Sequence, residues 1–174
     1  MGKFIIDKLH SEIEFKVKHL MISTVTGRFT DFDAEMISES DDFTDSQISF
    51  EANVNSITTS ITDRDNHLKS ADFFDVENYP KISFKSTEVT KTESGYQING
   101  LISIHGVEKE VSLVGNYNGN DVDFYGNTKY GFELSGTIKR SEFGLSFNAV
   151  TDKGGLLVSD DVILNVSVQF TKEG

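Results

Sequence analysis

The fold this sequence predicts is an all-β antiparallel barrel of eight strands with one short helical insert, a single domain over residues 1–174. Three observations carry that prediction. Apolar and polar residues alternate in run after run, the period of a half-buried strand. Turn signals separate the runs at hairpin spacing, which gives about eight strands. A single stretch, residues 62–76, TDRDNHLKSADFFDV, breaks the alternation for more than a few positions. Closure into a barrel is expected over an open sandwich because no strand carries a conspicuous proline or inward charge to blunt an edge.

Taken in order, Ile13, Phe15 and Val17 alternate with Glu12, Glu14, Lys16 and Lys18. From Met21 to Ile37 the chain stays extended. Val25, Gly27 and Phe29 share a parity that Phe32 breaks, so a bulge or bend is expected near Thr30-Asp31. Residues 39–45 read as an acidic connector. Ile48, Phe50, Ala52 and Val54 form the next strand and lead into the insert. There Thr62 is the expected N-cap, with Asp65 in the capping-box position. Asp63 and Asp65 suit the positive end of the helix dipole and Lys69 the negative end. Phe73-Phe74 follow, and the insert is placed over an open end of the barrel. Pro80 is the only proline; it holds Tyr79 extended and opens a strand from Lys81 to Val89.

Glu93-Ser94-Gly95 is a turn, after which Tyr96, Ile98, Gly100, Ile102 and Ile104 share a face. Gly106 marks a tight turn before a strand from Val107 to Tyr117. Asn118-Gly119-Asn120 is the expected hairpin, and one parity then holds from Val122 to Ile138. Residues 140–149 and 151–157 read as a mobile rim. Val162, Leu164, Val166, Val168 and Phe170 form the inward face of the last strand.

That inward face combines aromatics with glycines: Phe15, Phe50, Phe84, Phe124, Phe132 and Phe170 share it with Gly100, Gly115, Gly126 and Gly136. A strand-interior glycine leaves no side chain to pack. Two compatible readings follow: the glycines relieve curvature at barrel corners, or they keep the centre of an eight-stranded barrel open for a small ligand. The pore-lining candidates are Phe15, Val17, Phe29, Phe50, Phe84, Ile98, Gly100, Phe124, Gly126, Phe132, Gly136 and Val166. A hydrocarbon wall calls for a hydrocarbon ligand. At about 0.8 kcal/mol per buried methylene, roughly ten carbons supply on the order of 8 kcal/mol before association entropy. A single polar group at the mouth then sets orientation.

Composition narrows the function classes. Sixteen Lys and Arg against 28 Asp and Glu give a net charge of −12, which disfavours nucleic acid and anionic membrane surfaces. There is no cysteine, hence no disulfide, thiolate site or cysteine nucleophile. Phe4-Ile5-Ile6 is far too short for a signal-peptide core, and no stretch approaches the roughly 20 apolar residues of a membrane span. The chain as written reads as cytoplasmic, or exported if a leader has been removed.

Several motifs occur in order: Asp7-x-x-His10-Ser11, Phe15-x-Val17-x-His19-Leu20, Val25-x-Gly27-x-Phe29, Arg64-Asp65-x-His67-Leu68 and Asp72-Phe73-Phe74-Asp75. Tyr79-Pro80-x-Ile82-x-Phe84-x-Ser86, Gly100-x-Ile102-x-Ile104-x-Gly106-Val107, Arg140-x-x-Phe143-Gly144 and Asp161-Val162 follow. Together they resemble a YceI-like, polyisoprenoid-binding protein from end to end. The resemblance implies a lipocalin-like antiparallel barrel whose pore holds a long isoprenoid or other lipid. It also implies a homodimer and no catalytic reaction. Without a leader, a cytoplasmic lipid or quinone-precursor binder is expected rather than a periplasmic carrier.

The candidates for a head-group contact or cap are His19, Arg64, Asp65, Phe73, Phe74, Arg140 and Phe143. Arg64 with Asp65 is read either as an ion pair holding the insert to the barrel or as a contact to a phosphate or carbonyl head; Arg140 has the same two readings. The four histidines, His10, His19, His67 and His105, lack metal-site spacing, and neither a nucleophile elbow nor a phosphate loop is present. No metal and no cofactor are expected. Two alternatives stand beside the lipid carrier. One is a lipocalin-like enzyme using Asp65, His67 and Arg140; the other is a packed barrel that docks a partner at Phe73-Phe74.

Overall fold

The strands run β1 (Gly2–Ile6), β2 (Glu12–His19), β3 (Ser23–Phe29), β4 (Phe32–Ser38), β5 (Gln47–Asn53) and β6 (Ile57–Thr58). After helix α1 (Thr62–Lys69) come β7 (Lys81–Thr92), β8 (Gly95–Ile104), β9 (Val107–Val122), β10 (Thr128–Lys139) and β11 (Asp161–Lys172). This computed structural model describes residues 2–148 and 158–174. All strand pairings are antiparallel. The order β1-β4-β5-β7-β8-β9-β10-β11 is closed by pairing of β1 with β11, a ring of eight strands. Strands β2, β3 and β6 extend the sheet from β11 beyond that ring.

β11 serves two neighbours in succession: β1 over Phe170 to Lys172 and β2 over Ile163 to Ser167. The switch is made by a one-turn 3₁₀ segment, Lys8–His10, between two polar clamps. The Asp7 carboxylate accepts from the Leu9 amide at 3.1 Å and from Lys129 Nζ at 2.9 Å. Ser11 Oγ donates to the Asp7 carbonyl at 2.7 Å and accepts from the Gln169 amide at 3.0 Å. Burial raises the Asp7 pKa, but the hydrogen bonds from Lys129 and His10 outweigh it and hold the carboxyl below its ordinary value. Phe4-Ile5-Ile6 is the part of β1 that pairs with β11 and seals the ring.

The expected bend at Thr30-Asp31 separates β3 from β4, and Pro80 immediately precedes β7. The helical insert is shorter than its sequence pattern. The helix covers only Thr62–Lys69, and hydrogen-bonded turns carry the chain on to Tyr79. Thr62 is not the N-cap: Ile61 holds that position, extended and with no side-chain cap. Asp65 instead accepts from the Thr59 amide at 2.7 Å and from the Thr59 hydroxyl at 2.5 Å, tying the helix back to the end of β6.

The hairpin expected at Asn118-Gly119-Asn120 lies elsewhere. β9 continues to Val122, and the turn falls at residues 123–127, where Asp123 accepts from the Tyr125 and Asn127 amides at 2.9 Å each. A register shift between Gly131 and Phe132 absorbs the extra length. The turn's capping carboxylate outcompetes the Asn-Gly signal because it satisfies two amides at once. Phe124 and Gly126 therefore sit on a solvent-exposed tip. Phe124 is fully exposed, and Gly126 takes a left-handed φ of 84° with open space around it.

Of the expected rim, residues 140–143 form a 3₁₀ turn and Arg140 and Phe143 are buried. Residues 149–157 lie outside the described residues.

Candidate functional site

A chamber of about 420 Å³ runs along the barrel axis, within the usual range of small-molecule sites. Its walls come from strand-alternate positions on every ring strand, among them Ile6, Met36, Phe50, Phe84, Ile98, Leu113, Leu134 and Val166. Several inward residues in mid-barrel, including Phe132, Leu134, Leu164 and Val166, are only half-buried despite facing the axis. All four line the hollow. A solidly packed interior, one of the sequence-level alternatives, is overturned by this void.

One end is plugged. Phe43, in the connector between β4 and β5, is 5% exposed and meets four rings edge-on. They are Phe4 at 5.8 Å, Tyr117 at 5.1 Å, Tyr130 at 6.0 Å and Phe132 at 5.4 Å. The connector is folded by Asp45, whose carboxylate accepts from the Ser38 hydroxyl at 2.6 Å, the Ser40 hydroxyl at 2.7 Å and the Glu39 amide at 2.8 Å. Those bonds, the Ser38 hydroxyl foremost, drive its pKa far below the ordinary 3.8.

The other end is capped by α1 and the turn after it. The His67 ring lies edge-on to Phe73 at 5.1 Å and to Phe147 at 5.0 Å, and its Nε2 is 2.9 Å from Asp72 Oδ2. Phe74 contacts Phe29 at 6.3 Å. His67 lines the chamber while keeping 45% of its side chain exposed, so the hollow reaches solvent here.

The pore candidates divide. Phe15, Val17, Phe29, Phe50, Phe84, Ile98, Phe132 and Val166 lie on the chamber wall. Phe124 and Gly126 do not, for the reason given above. Gly100 and Gly136 have inward parity but do not line the void, because neighbouring side chains cover them. A Cβ at Gly100 would stand 2.5 Å from the Phe84 ring, and one at Gly136 would stand 2.6 Å from Leu113 Cδ2. These glycines seat their neighbours rather than empty the pore.

At the capped end His19, Arg64, Phe73, Phe74 and Arg140 line the chamber. Phe143 does not; it is 1% exposed and packed in the wall, its carbonyl 3.0 Å from His105 Nδ1. Arg64 and Asp65 form no direct ion pair. Arg64 donates through Nε to Thr59 Oγ1 at 2.7 Å and through Nη2 to the Thr59 carbonyl at 2.8 Å, so Thr59 stands between the two charges. Arg140, 6% exposed, donates to the carbonyls of Ser159, Leu145, Phe147 and Val158 at 2.7 to 3.2 Å. Burial lowers its pKa, and the nearby Asp160 charge opposes that shift. Asp65, His67 and Arg140 are thus engaged with three separate sets of partners. Among the described residues no three His, Asp or Glu side chains gather as a metal site, and no helix is long and apolar enough to cross a membrane.

Sequence reasoning missed Phe43, Ser46, Tyr117 and Tyr130. A lone phenylalanine inside an acidic connector is the available signal, since so large an apolar side chain is usually buried and the connector must fold to cover it.

A closed antiparallel barrel with an apolar axial chamber and a helical cap is the class that fold and site define. Residues 4–170 match the YceI-like domain, and the chain belongs to that family. It is 36% identical over 172 residues to the UPF0312 protein of Staphylococcus epidermidis, covering 98% of both chains. Its fold superposes on BcnA of Burkholderia cenocepacia with a TM-score of 0.82, at 20% identity over 94% of this chain and 98% of that one. A polyisoprenoid binding domain from Saccharophagus degradans, implicated in plant cell wall breakdown, shares the fold at a TM-score of 0.68 and 13% identity over 98% of each chain.

Proposed function

We propose that this protein binds one long-chain lipid, an isoprenoid in the first instance, with its hydrocarbon laid along the barrel axis, and that it performs no chemistry on it. The observation that carries the reading is the row of inward residues left half-buried around an apolar chamber. A hydrocarbon-lined void forfeits dispersion contacts on its inner surface, and a hydrocarbon chain restores them while leaving water. The family membership and the Saccharophagus domain's isoprenoid binding point the same way. A non-catalytic role fits the engagement of Asp65 and Arg140 with the protein's own backbone and hydroxyl groups. The role itself is carriage or sequestration, with exchange at the capped end.

The test is the organic extract of protein purified without detergent from its native host. Mass spectrometry is expected to find a hydrophobic passenger at close to one per chain, chemically unchanged after incubation. Protein that is repeatedly empty, and that leaves added geranylgeraniol and oleamide free, would overturn the reading.

A further inference from the structure

The polar groups around the chamber are unevenly committed. At the capped end Arg64 is held on Thr59, Asp65 on the same residue, and Arg140 on four backbone carbonyls. At the plugged end one group is left over. Ser46 lines the chamber and is 8% exposed, and its hydroxyl is the one fully buried side-chain polar atom among the described residues without a hydrogen-bond partner. Its backbone amide donates to the Phe43 carbonyl at 3.1 Å, which fixes the residue against the aromatic plug. A buried hydroxyl without a partner carries its full desolvation penalty. Its oxygen is closed off as it stands, so a cargo group in the chamber relieves that penalty by drawing the side chain round to another staggered rotamer.

We infer that Ser46 marks a polar subsite at the closed end of the chamber, which takes the hydrogen-bonding group of the cargo while the hydrocarbon points to the capped mouth. The inference rests on the lipid-binding reading and reverses the orientation the sequence suggests, in which the polar group stays at the mouth. It also fixes the ligand's class. One neutral hydroxyl on a chamber wall made chiefly of hydrocarbon cannot compensate a charge taken out of water, so carboxylates and phosphates are refused. A neutral carbonyl or alcohol is accepted, because a serine hydroxyl both donates and accepts.

The experiment is a comparative titration of the full chain and of Ser46→Ala with three C20 probes: geranylgeraniol, its hydrocarbon lacking the hydroxyl, and geranylgeranoic acid at pH 8. The unmodified protein is expected to hold the alcohol roughly tenfold more tightly than the hydrocarbon and the acid most weakly. Ser46→Ala is expected to bind alcohol and hydrocarbon alike. A photoreactive group beside the hydroxyl of the alcohol should label residues around Phe43, not residues around His67. An alcohol preference that survives in Ser46→Ala, an acid that binds best, or labelling at His67 would each overturn the subsite and leave lipid binding standing. Failure of all three probes to bind would remove the lipid-binding reading and this inference together.

Discussion

The ring of Phe84 occupies the place a side chain at Gly100 would take, across the paired strands β7 and β8. An added Cβ would fall 2.5 Å from two of its ring carbons and 2.5 Å from the Lys85 carbonyl oxygen. Phe84 thereby lies over Gly100 and still forms part of the chamber wall. Gly100→Ala forces either the ring or the strand to move. The expected cost is about 1–3 kcal/mol, read as a lower denaturant midpoint at unchanged slope, together with reduced lipid uptake.

Arg140 ties together segments that approach from both sides of residues 149–157. Arg140→Met removes the cation and leaves the Ser159, Leu145, Phe147 and Val158 carbonyls short of a donor. A loss on the order of 3 kcal/mol is expected, and Arg140→Lys should restore only part of it, because an ammonium lacks the planar fork. Thermal or chemical unfolding checks both. The preference among neutral and acidic lipids should not change, since this guanidinium serves the backbone.

Acid should loosen the plug before the barrel. The Asp45 carboxyl is depressed in the folded chain, chiefly by the Ser38 hydroxyl and then by Ser40 and the Glu39 amide. Below its ordinary value of 3.8 the unfolded chain therefore binds more protons than the folded one. Its stabilising contribution is complete above that value and is lost as pH falls toward the folded pKa. Asp45→Asn should flatten the acid limb of a stability–pH curve, and the near-ultraviolet signal of Tyr117 and Tyr130 should weaken first in the unmodified protein on acidification.

The cap should govern release. His67→Ala deletes edge-on contacts to Phe73 and Phe147 and the bond to Asp72. With each aromatic contact worth about 0.5–1.5 kcal/mol, lipid dissociation measured by stopped-flow transfer to vesicles should accelerate up to about tenfold.

Much of the architecture is written in the two-residue period: β5 and β8 follow their alternation closely, β11 does so at both ends, and Pro80 opens β7. A local signal fails where it meets a stronger competing one. Asn118-Gly119 reads as a hairpin, yet Asp123 satisfies two amides farther on, and this carried Phe124 and Gly126 out of the pore. Gly100 and Gly136 have the inward parity that alternation predicts, but alternation cannot say that Phe84 and Leu113 lie over them. Phe4-Ile5-Ile6 seals the ring through a partner at the far end of the chain, a pairing that no short window contains. The plug around Phe43 and the unpartnered Ser46 hydroxyl depend on a folded connector, and composition marks that only as acidic.

The central claim is that the hollow itself holds the hydrocarbon. Val166 lies in mid-barrel, paired with Ile13 and Leu134, and lines the chamber while only half-buried. Equilibrium titration of geranylgeraniol into the full chain and into Val166→Trp decides the matter. An indole that displaces two or more methylenes should lower affinity more than tenfold while the melting temperature stays level or rises. Equal affinity in a folded Val166→Trp protein would show that the lipid binds elsewhere, and the account would be wrong.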